Sequence, residues 1–198
     1  MSAVEQSFDF SAAMNRLCVD ITGRVDEFAQ IDMRHVAVTF AQARRRALHG
    51  LQAKLTPMRF ENGALTTHRD GRTWTVQRLY HADHEILYIL TFYLPRFLNH
   101  PFREKLVTIF HELYHVSPQF DGDIRRHDGR YHVHTHSQQD YDREMDRLVT
   151  DYLTAGPPAE LLTFLRRPFR TLQRQYGGVV GLQIPIPKLV LVPDSKSA

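Results

Sequence analysis

The chain has 198 residues, of which 42% are apolar and 24% charged, and its formal net charge is +3. This composition excludes a disordered or fibrous chain, and the length suits one domain over residues 1–198. No apolar run approaches the roughly 20 residues of a membrane-spanning helix, the first residues lack the pattern of a secretory signal, and the lone Cys18 excludes a disulfide framework. We therefore expect a cytoplasmic protein without a membrane partner.

The N-terminal half is predicted to contain one helix followed by short strands. Apolar side chains at helical spacing predict the helix over residues 10–22. Strands are predicted over residues 35–40, 51–60, 73–79 and 85–94, with turns at 61–63 and 69–71. Pro57 places the second strand at a sheet edge or at a bulge, and the β-branched and aromatic residues of 85–94 are typical of a central strand.

The second half is predicted to be mainly helical. Residues 102–116 have a continuous helical pattern that Ser117-Pro118 ends, and their apolar surface is broad enough for a buried helix. A polar loop over 119–136, a helix over 138–153, a basic amphipathic helix over 160–175 and an extended tail over 179–192 follow. The pattern predicts an α+β domain in which a small mixed or antiparallel sheet packs on the helix 102–116 and on further helices.

Histidine is the residue whose distribution stands out. The chain has 12 histidines, and six of them lie in the segment from His111 to His136. Histidine is the commonest metal ligand in proteins and titrates near neutral pH. The clustering therefore indicates that this segment carries chemistry.

The predicted helix 102–116 carries the sequence HELYH, which fits the pattern H-E-x-x-H. Side chains four residues apart lie one above the other on a helix, so the imidazoles of His111 and His115 can bind one metal ion. Glu112 lies beside them and is placed to take a proton from a water molecule at the metal. The alternative is a pair of hydrogen-bonded histidines with a solvent-facing glutamate, but an unpaired carboxylate in so apolar a helix is costly.

A catalytic zinc ion usually has three protein ligands and one open position for water. The candidates for the third ligand are His127, His132, His134 and His136, with Asp121 and Asp123 as carboxylate alternatives. The two aspartates also fit a turn, because Asp-Gly sequences form turns readily, or hydrogen bonds that orient a ligand imidazole. The residues alone leave the choice open.

These motifs resemble those of zincin-type metallopeptidases. A short sheet before an H-E-x-x-H helix, with a later histidine, is similar to gluzincin-like and SprT-like bacterial enzymes. Residues 111–145 more closely resemble a group of uncharacterised bacterial and phage metallopeptidases that carry H-E-L-x-H-I-S-P, F-D-G-D-x-R-R and G-R-x-x-x-H. The resemblance implies a zincin-like fold with a catalytic core over residues 85–152, followed by the basic helix and extended tail over 158–198.

The resemblance also implies a zinc-dependent enzyme that hydrolyses peptide bonds of a peptide or protein substrate. The implied ligands of one zinc ion per chain are His111, His115 and His134. Glu112 is the implied general base. His136 and then His127 are the alternatives for the third ligand, because these extra histidines depart from the family's pattern.

Two other functions are open at this point. Arginines cluster at 44–46 and at Arg166, Arg167, Arg170 and Arg174, the second group interleaved with Phe164 and Phe169. Such clusters suit contact with nucleic acid, although most basic runs are solvated helix faces. The other possibility is a non-hydrolytic zinc domain, which is less favoured because structural zinc sites prefer cysteine and Cys18 is remote from the motif.

Overall fold

The computed structural model of the protein describes residues 7–43, 49–126 and 138–193. The α-helices in these ranges are α1 (Phe10–Arg24), α2 (Phe102–Tyr114), α3 (Gln138–Thr154), α4 (Ala159–Leu162) and α5 (Phe169–Gln175). The strands are β1 (Phe8–Asp9), β2 (Val36–Gln42), β3 (Ala53–Pro57), β4 (Thr66–Arg69), β5 (Arg72–Val76), β6 (Leu79–His81), β7 (His84–Ile86), β8 (Tyr88–Leu94), β9 (Val179–Val180) and β10 (Leu189–Leu191).

A three-stranded mixed sheet forms the centre of the fold. Strand β8 lies between β2, to which it is parallel, and β3, to which it is antiparallel. Val38, Leu90 and Leu55 occupy one row across the three strands, and all three are buried in the main core. The predictions of a central strand and of an edge position for the strand with Pro57 are confirmed, and that strand covers Ala53–Pro57 rather than 51–60. Proline suits the edge because it lacks the N–H that an interior strand would need.

Helices α1 and α2 cover the core face of this sheet, and α3 packs against α2. The carboxylate of Asp9 accepts a hydrogen bond from the N–H of Ala12 at 2.9 Å, which caps the start of α1. Helix α2 lies between β3 and α3, and the ring of Phe110 contacts the rings of Phe28 and Tyr152 at centroid distances of 5.5 and 5.7 Å. The buried helix predicted over 102–116 is thus confirmed, with its regular part ending at Tyr114.

The C-terminal tail crosses the opposite face of the sheet. The N–H of Phe40 donates to the carbonyl of Leu182 at 3.1 Å, and the N–H of Leu182 donates to the hydroxyl of Ser11 at 2.9 Å. Ile184 packs against a second apolar cluster on this face, and β10 pairs with β5 in a small outer sheet that also contains β4. The tail predicted over 179–192 is therefore an extended arm with two short strands.

The prediction of one continuous basic helix over 160–175 is wrong. The chain forms α4, then one 3-10 turn over Thr163–Arg166, and then a separate α5. Arg167 between them is extended, with φ −113° and ψ 134°, because it precedes Pro168. The ring of Pro168 also removes the N–H that a continuous helix requires.

The fold class is mixed α+β, as predicted, with several small sheets and with helices on the central one. None of the helices that the structure describes is both long enough and apolar enough to cross a membrane.

Candidate metal centre

The two histidines of the HELYH motif converge at the C-terminal end of α2. His111 lies in the last turn of the helix, and His115 is the residue that caps it. Their Nε2 atoms are 2.9 Å apart, and the ring centroids are 4.6 Å apart with planes at 78°. Both side chains are half-buried. The four-residue spacing therefore brings the imidazole nitrogens to one point, as the sequence predicted.

The carboxylate of Glu112 is buried beside the central sheet. The residue is 8% exposed, and its Oε2 accepts a hydrogen bond of 2.7 Å from the backbone N–H of Leu55 in edge strand β3. Burial raises the pKa of Glu112 to about 7, although the Leu55 N–H and the charge of Lys54 both act to lower it. A carboxyl group with this pKa can both accept and release a proton near neutral pH.

The residues present suit a zinc ion. Zinc binds imidazole nitrogen at about 2.0–2.1 Å in a tetrahedral arrangement, so two nitrogens that share one ion lie about 3.3 Å apart. The Nε2 atoms of His111 and His115 are 2.9 Å apart, which is a hydrogen-bond distance, so a small outward movement of the rings would admit the ion. Glu112 extends toward β3 and is the carboxylate nearest to them in sequence.

The predicted third ligand cannot be placed, because His134 lies outside the described residues. The same holds for the alternatives His127, His132 and His136. In the described ranges, no group of three or more His, Cys, Asp or Glu side chains is arranged to hold a metal ion. The described part of the chain thus contributes two imidazoles, and the third ligand stays a prediction.

Asp121 and Asp123 build a loop after α2. One carboxylate oxygen of Asp121 accepts from the N–H of Asp123 at 3.1 Å, which fits the turn, one of the alternatives that the sequence left open. Asp123 is buried, and its carboxylate accepts from the N–H groups of Asn62 and Ile124 and from the guanidinium of Arg126. These contacts show a loop-forming role for both aspartates.

Two side chains that sequence reasoning did not single out hold this loop. The hydroxyl of Tyr88 accepts from the N–H of Gly122 at 2.9 Å and donates to the carbonyl of Asp123 at 2.9 Å. Arg125 donates to the carbonyl of Tyr114 at 2.8 Å. The FDGDIRR motif was the available signal for Arg125, whereas nothing in the local pattern distinguished Tyr88 from an ordinary core residue of a strand.

The two phenylalanines of the basic cluster near the C-terminus pack against the core, Phe164 fully and Phe169 in part. Phe164, which the sequence interleaves with arginines, is buried in the core. The guanidinium of Arg166 lies 4.1 Å from the ring centroid of Phe102, and that of Arg167 bonds to Gln175. Arg170 and Arg174 are exposed on α5, and residues 44–46 lie outside the described ranges. Nucleic-acid contact through these clusters stays a prediction.

Cys18 is completely buried in the core, and burial raises the pKa of its thiol to about 12. A thiol in this setting stays protonated and is a poor metal ligand. It does not provide the fourth ligand that a structural zinc site would require.

No family model, no curated protein and no solved structure matches this chain at a level that would show a relationship. The resemblance to zincin-type metallopeptidases therefore stays a prediction that depends on the motifs and on the geometry of α2.

Proposed function

We propose that the protein is a zinc-dependent metallopeptidase. The observation that carries this proposal is the meeting of the His111 and His115 Nε2 atoms at 2.9 Å, next to a buried glutamate. A helix that only needed to pack would not bury a carboxylate with a raised pKa beside two converging imidazoles, because ionising that group in the core is costly. The same arrangement favours an enzyme of zincin-like architecture.

His111 and His115 would hold the zinc ion through Nε2, with His134 as the proposed third ligand. A bound zinc ion would supply Lewis acidity, which polarises a substrate carbonyl and makes water more acidic. The side chains must be neutral to bind metal, so acid would weaken zinc binding.

Glu112 would act as the general base. Its pKa of about 7 allows the carboxylate to take the proton of the attacking water and to pass it to the leaving amine. The Leu55 N–H bonds to Oε2, and no residue in the described ranges bonds to Oε1, which is the oxygen we assign to proton transfer. The substrate class that this chemistry suits is a peptide or protein.

Zinc content and hydrolysis test this proposal together. Purified protein should bind about one zinc ion per chain, and H111A and H115A should each lose tight binding. E112Q keeps the shape of the side chain, so it should retain zinc while hydrolysis of fluorescently labelled casein falls by roughly 10²- to 10⁴-fold. Arg103→Ala is the control, because this exposed side chain pairs with Asp146 on α3 and lies two turns away from the motif.

The outcomes separate the candidate functions. Zinc binding with unchanged casein hydrolysis in E112Q would contradict the role of Glu112. Zinc binding without hydrolysis of any peptide bond in a random peptide pool, and with no water in the zinc coordination sphere, would support the non-hydrolytic zinc domain. A wild-type chain that binds no zinc after exposure to a micromolar excess would contradict both.

A further inference from the structure

The FDGDIRR segment returns the chain to the end of α2. After Tyr114 the chain leaves the helix, turns at Phe120, and comes back antiparallel to its own path through a bridge between Val116 and Ile124. The N–H of Ser117 donates to the carbonyl of Asp123 at 3.2 Å within this return. The loop of residues 120–126, here called the return loop, therefore lies against the end of the helix that carries the histidines.

Arg125 is the residue of the return loop that contacts the helix end most extensively. Its backbone N–H donates to the carbonyl of His115 at 2.8 Å, and its Nε donates to the carbonyl of Tyr114 at 2.8 Å. Its guanidinium lies 4.0 Å from the centroid of the Tyr114 ring. The last carbonyls of a helix lack partners within the helix, and a cation there is favourable, so one side chain satisfies both needs.

His115 depends on this contact because it lies beyond the last regular residue of α2. It has φ −69° and ψ −14°, its N–H bonds to the carbonyls of Glu112 and Leu113, and its Nε2 lies at hydrogen-bond distance from that of His111. Its carbonyl is held by Arg125. The direction of the His115 imidazole relative to His111 is therefore set partly from the loop side.

The return loop is itself firmly anchored. The Tyr88 hydroxyl, from the central strand, bonds to both Gly122 and Asp123. The buried carboxylate of Asp123 accepts from two backbone N–H groups and from Arg126. These bonds hold the return loop against the sheet, and Arg125 connects the loop to the end of α2.

We propose that Arg125 is a positioning residue for the metal centre, which holds the end of α2 so that the His115 imidazole faces that of His111. The proposal rests on the proposed zinc site, and it assigns a function to the FDGDIRR motif. Residues that orient metal ligands typically contribute about 10- to 100-fold to metal affinity. The proposed role belongs to the Arg125 side chain, which acts through the carbonyl and ring of Tyr114, because its substitution leaves the backbone N–H that bonds to the His115 carbonyl in place.

The test compares zinc affinity and cobalt spectra of three full-length variants with the wild type. Zinc affinity is measured by competition with a chromophoric chelator, and the visible absorption of the Co²⁺-substituted protein reports the ligand geometry. R125A should weaken zinc binding by about 10- to 100-fold and change the cobalt spectrum. R125K should show a smaller loss, because lysine keeps the charge and a donor but lacks the planar group that stacks on Tyr114.

Lys105→Met is the matched control for stability. Lys105 lies on the same helix, toward the end that is remote from the histidines, and its ammonium bonds to two backbone carbonyls that lie outside α2. The variant should therefore unfold more easily, while its zinc affinity and cobalt spectrum stay unchanged. If R125A does not fold, the comparison is made with R125K, whose wild-type affinity and spectrum would then overturn the proposal.

The results distinguish this proposal from the proposed function. Wild-type zinc affinity and an unchanged cobalt spectrum in R125A would overturn the role of Arg125 and leave the metal site intact. Equal losses in R125A and Lys105→Met would also overturn it, because they would indicate a general effect of stability. A wild-type chain that binds neither zinc nor cobalt would contradict the metal site first, and this role with it.

Discussion

Lys105 and Glu112 are two charged side chains that α2 buries two turns apart, and their surroundings differ. Lys105 is 2% exposed, and its ammonium donates to the carbonyls of Leu98 and Leu165 at 2.6 Å each and to that of Arg167 at 3.5 Å. Glu112 is 8% exposed, and the described residues give its carboxylate one hydrogen bond, from the Leu55 N–H. One charge is surrounded by partners, and the other is not.

The difference shows that burial alone does not indicate a functional group. Burial lowers the pKa of Lys105 to about 8 and raises that of Glu112 to about 7, so each charge is disfavoured by a similar cause. The carbonyls around Lys105 connect α2 to the segment after α4, which is a structural role. Glu112 keeps an oxygen that no described residue occupies, and it lies between the two histidines in the sequence of α2, which suits the proposed proton transfer.

Removing the lysine should have the largest effect on stability. Lys105→Met leaves carbonyls of Leu98 and Leu165 buried without a donor, at about 1–3 kcal/mol for each unsatisfied group. We expect the free energy of unfolding to fall by roughly 3 kcal/mol, measured by urea denaturation at neutral pH. A variant as stable as the wild type would mean that the ammonium does not join these segments.

The free energy of unfolding of the metal-free protein should depend on pH through Glu112. The folded protein binds the Glu112 proton more tightly than the unfolded chain, whose glutamate has the ordinary pKa of 4.5. Its stabilising contribution is therefore complete below pH 4.5 and is lost as pH rises through about 7. In metal-free protein this amounts to about 3 kcal/mol, and the difference between wild type and E112Q in urea denaturation from pH 4 to 8 measures it. Parallel stability curves for the two proteins would contradict the raised pKa.

Removing the Asp123 carboxylate, which anchors the return loop, should lower the free energy of unfolding by a smaller amount. Asp123→Ala removes the acceptor of two backbone N–H groups and of Arg126, and it should lower the free energy of unfolding by about 2 kcal/mol. Amide hydrogen exchange should increase at Asn62 and Ile124, whose N–H groups bond to this carboxylate. Unchanged protection of both amides would show that the carboxylate does not hold the loop.

The smallest effect is expected at the surface of α2. Arg103 and Asp146 form an ion pair at 2.7 Å between side chains that are both about half exposed. Such pairs contribute about 0–1 kcal/mol, so Arg103→Ala should shift the free energy of unfolding by no more than roughly 0.5 kcal/mol. A loss of unfolding free energy as large as that of Lys105→Met would show that a charge on this helix stabilises the fold whether or not it is buried. That result would contradict the assignment of the stabilising effect to buried contacts.

Local patterns predicted much of the fold. The apolar spacing of α1 and α2, the edge strand ending at Pro57 and the central strand β8 were all visible in short stretches of sequence. Pro168 could also have predicted the break between α4 and α5, because the residue before proline favours extended backbone.

The partners of the buried charges were not predictable in this way. The Leu55 N–H lies 57 residues from Glu112 along the chain, and the Leu165 carbonyl lies 60 residues from Lys105. Both contacts follow from the pairing of strands and the docking of α2, which no local pattern encodes. The spacing of His111 and His115 was sufficient to predict that their side chains lie on the same face of α2.

A crystal structure of the zinc-loaded protein, with anomalous diffraction measured at the zinc edge, tests the central claim most directly. We expect one zinc ion at about 2.0–2.1 Å from the Nε2 atoms of His111 and His115, with a third ligand from residues 127–136. A zinc ion bound elsewhere on the chain, or imidazoles of these two residues that point away from each other in the loaded crystal, would contradict the account.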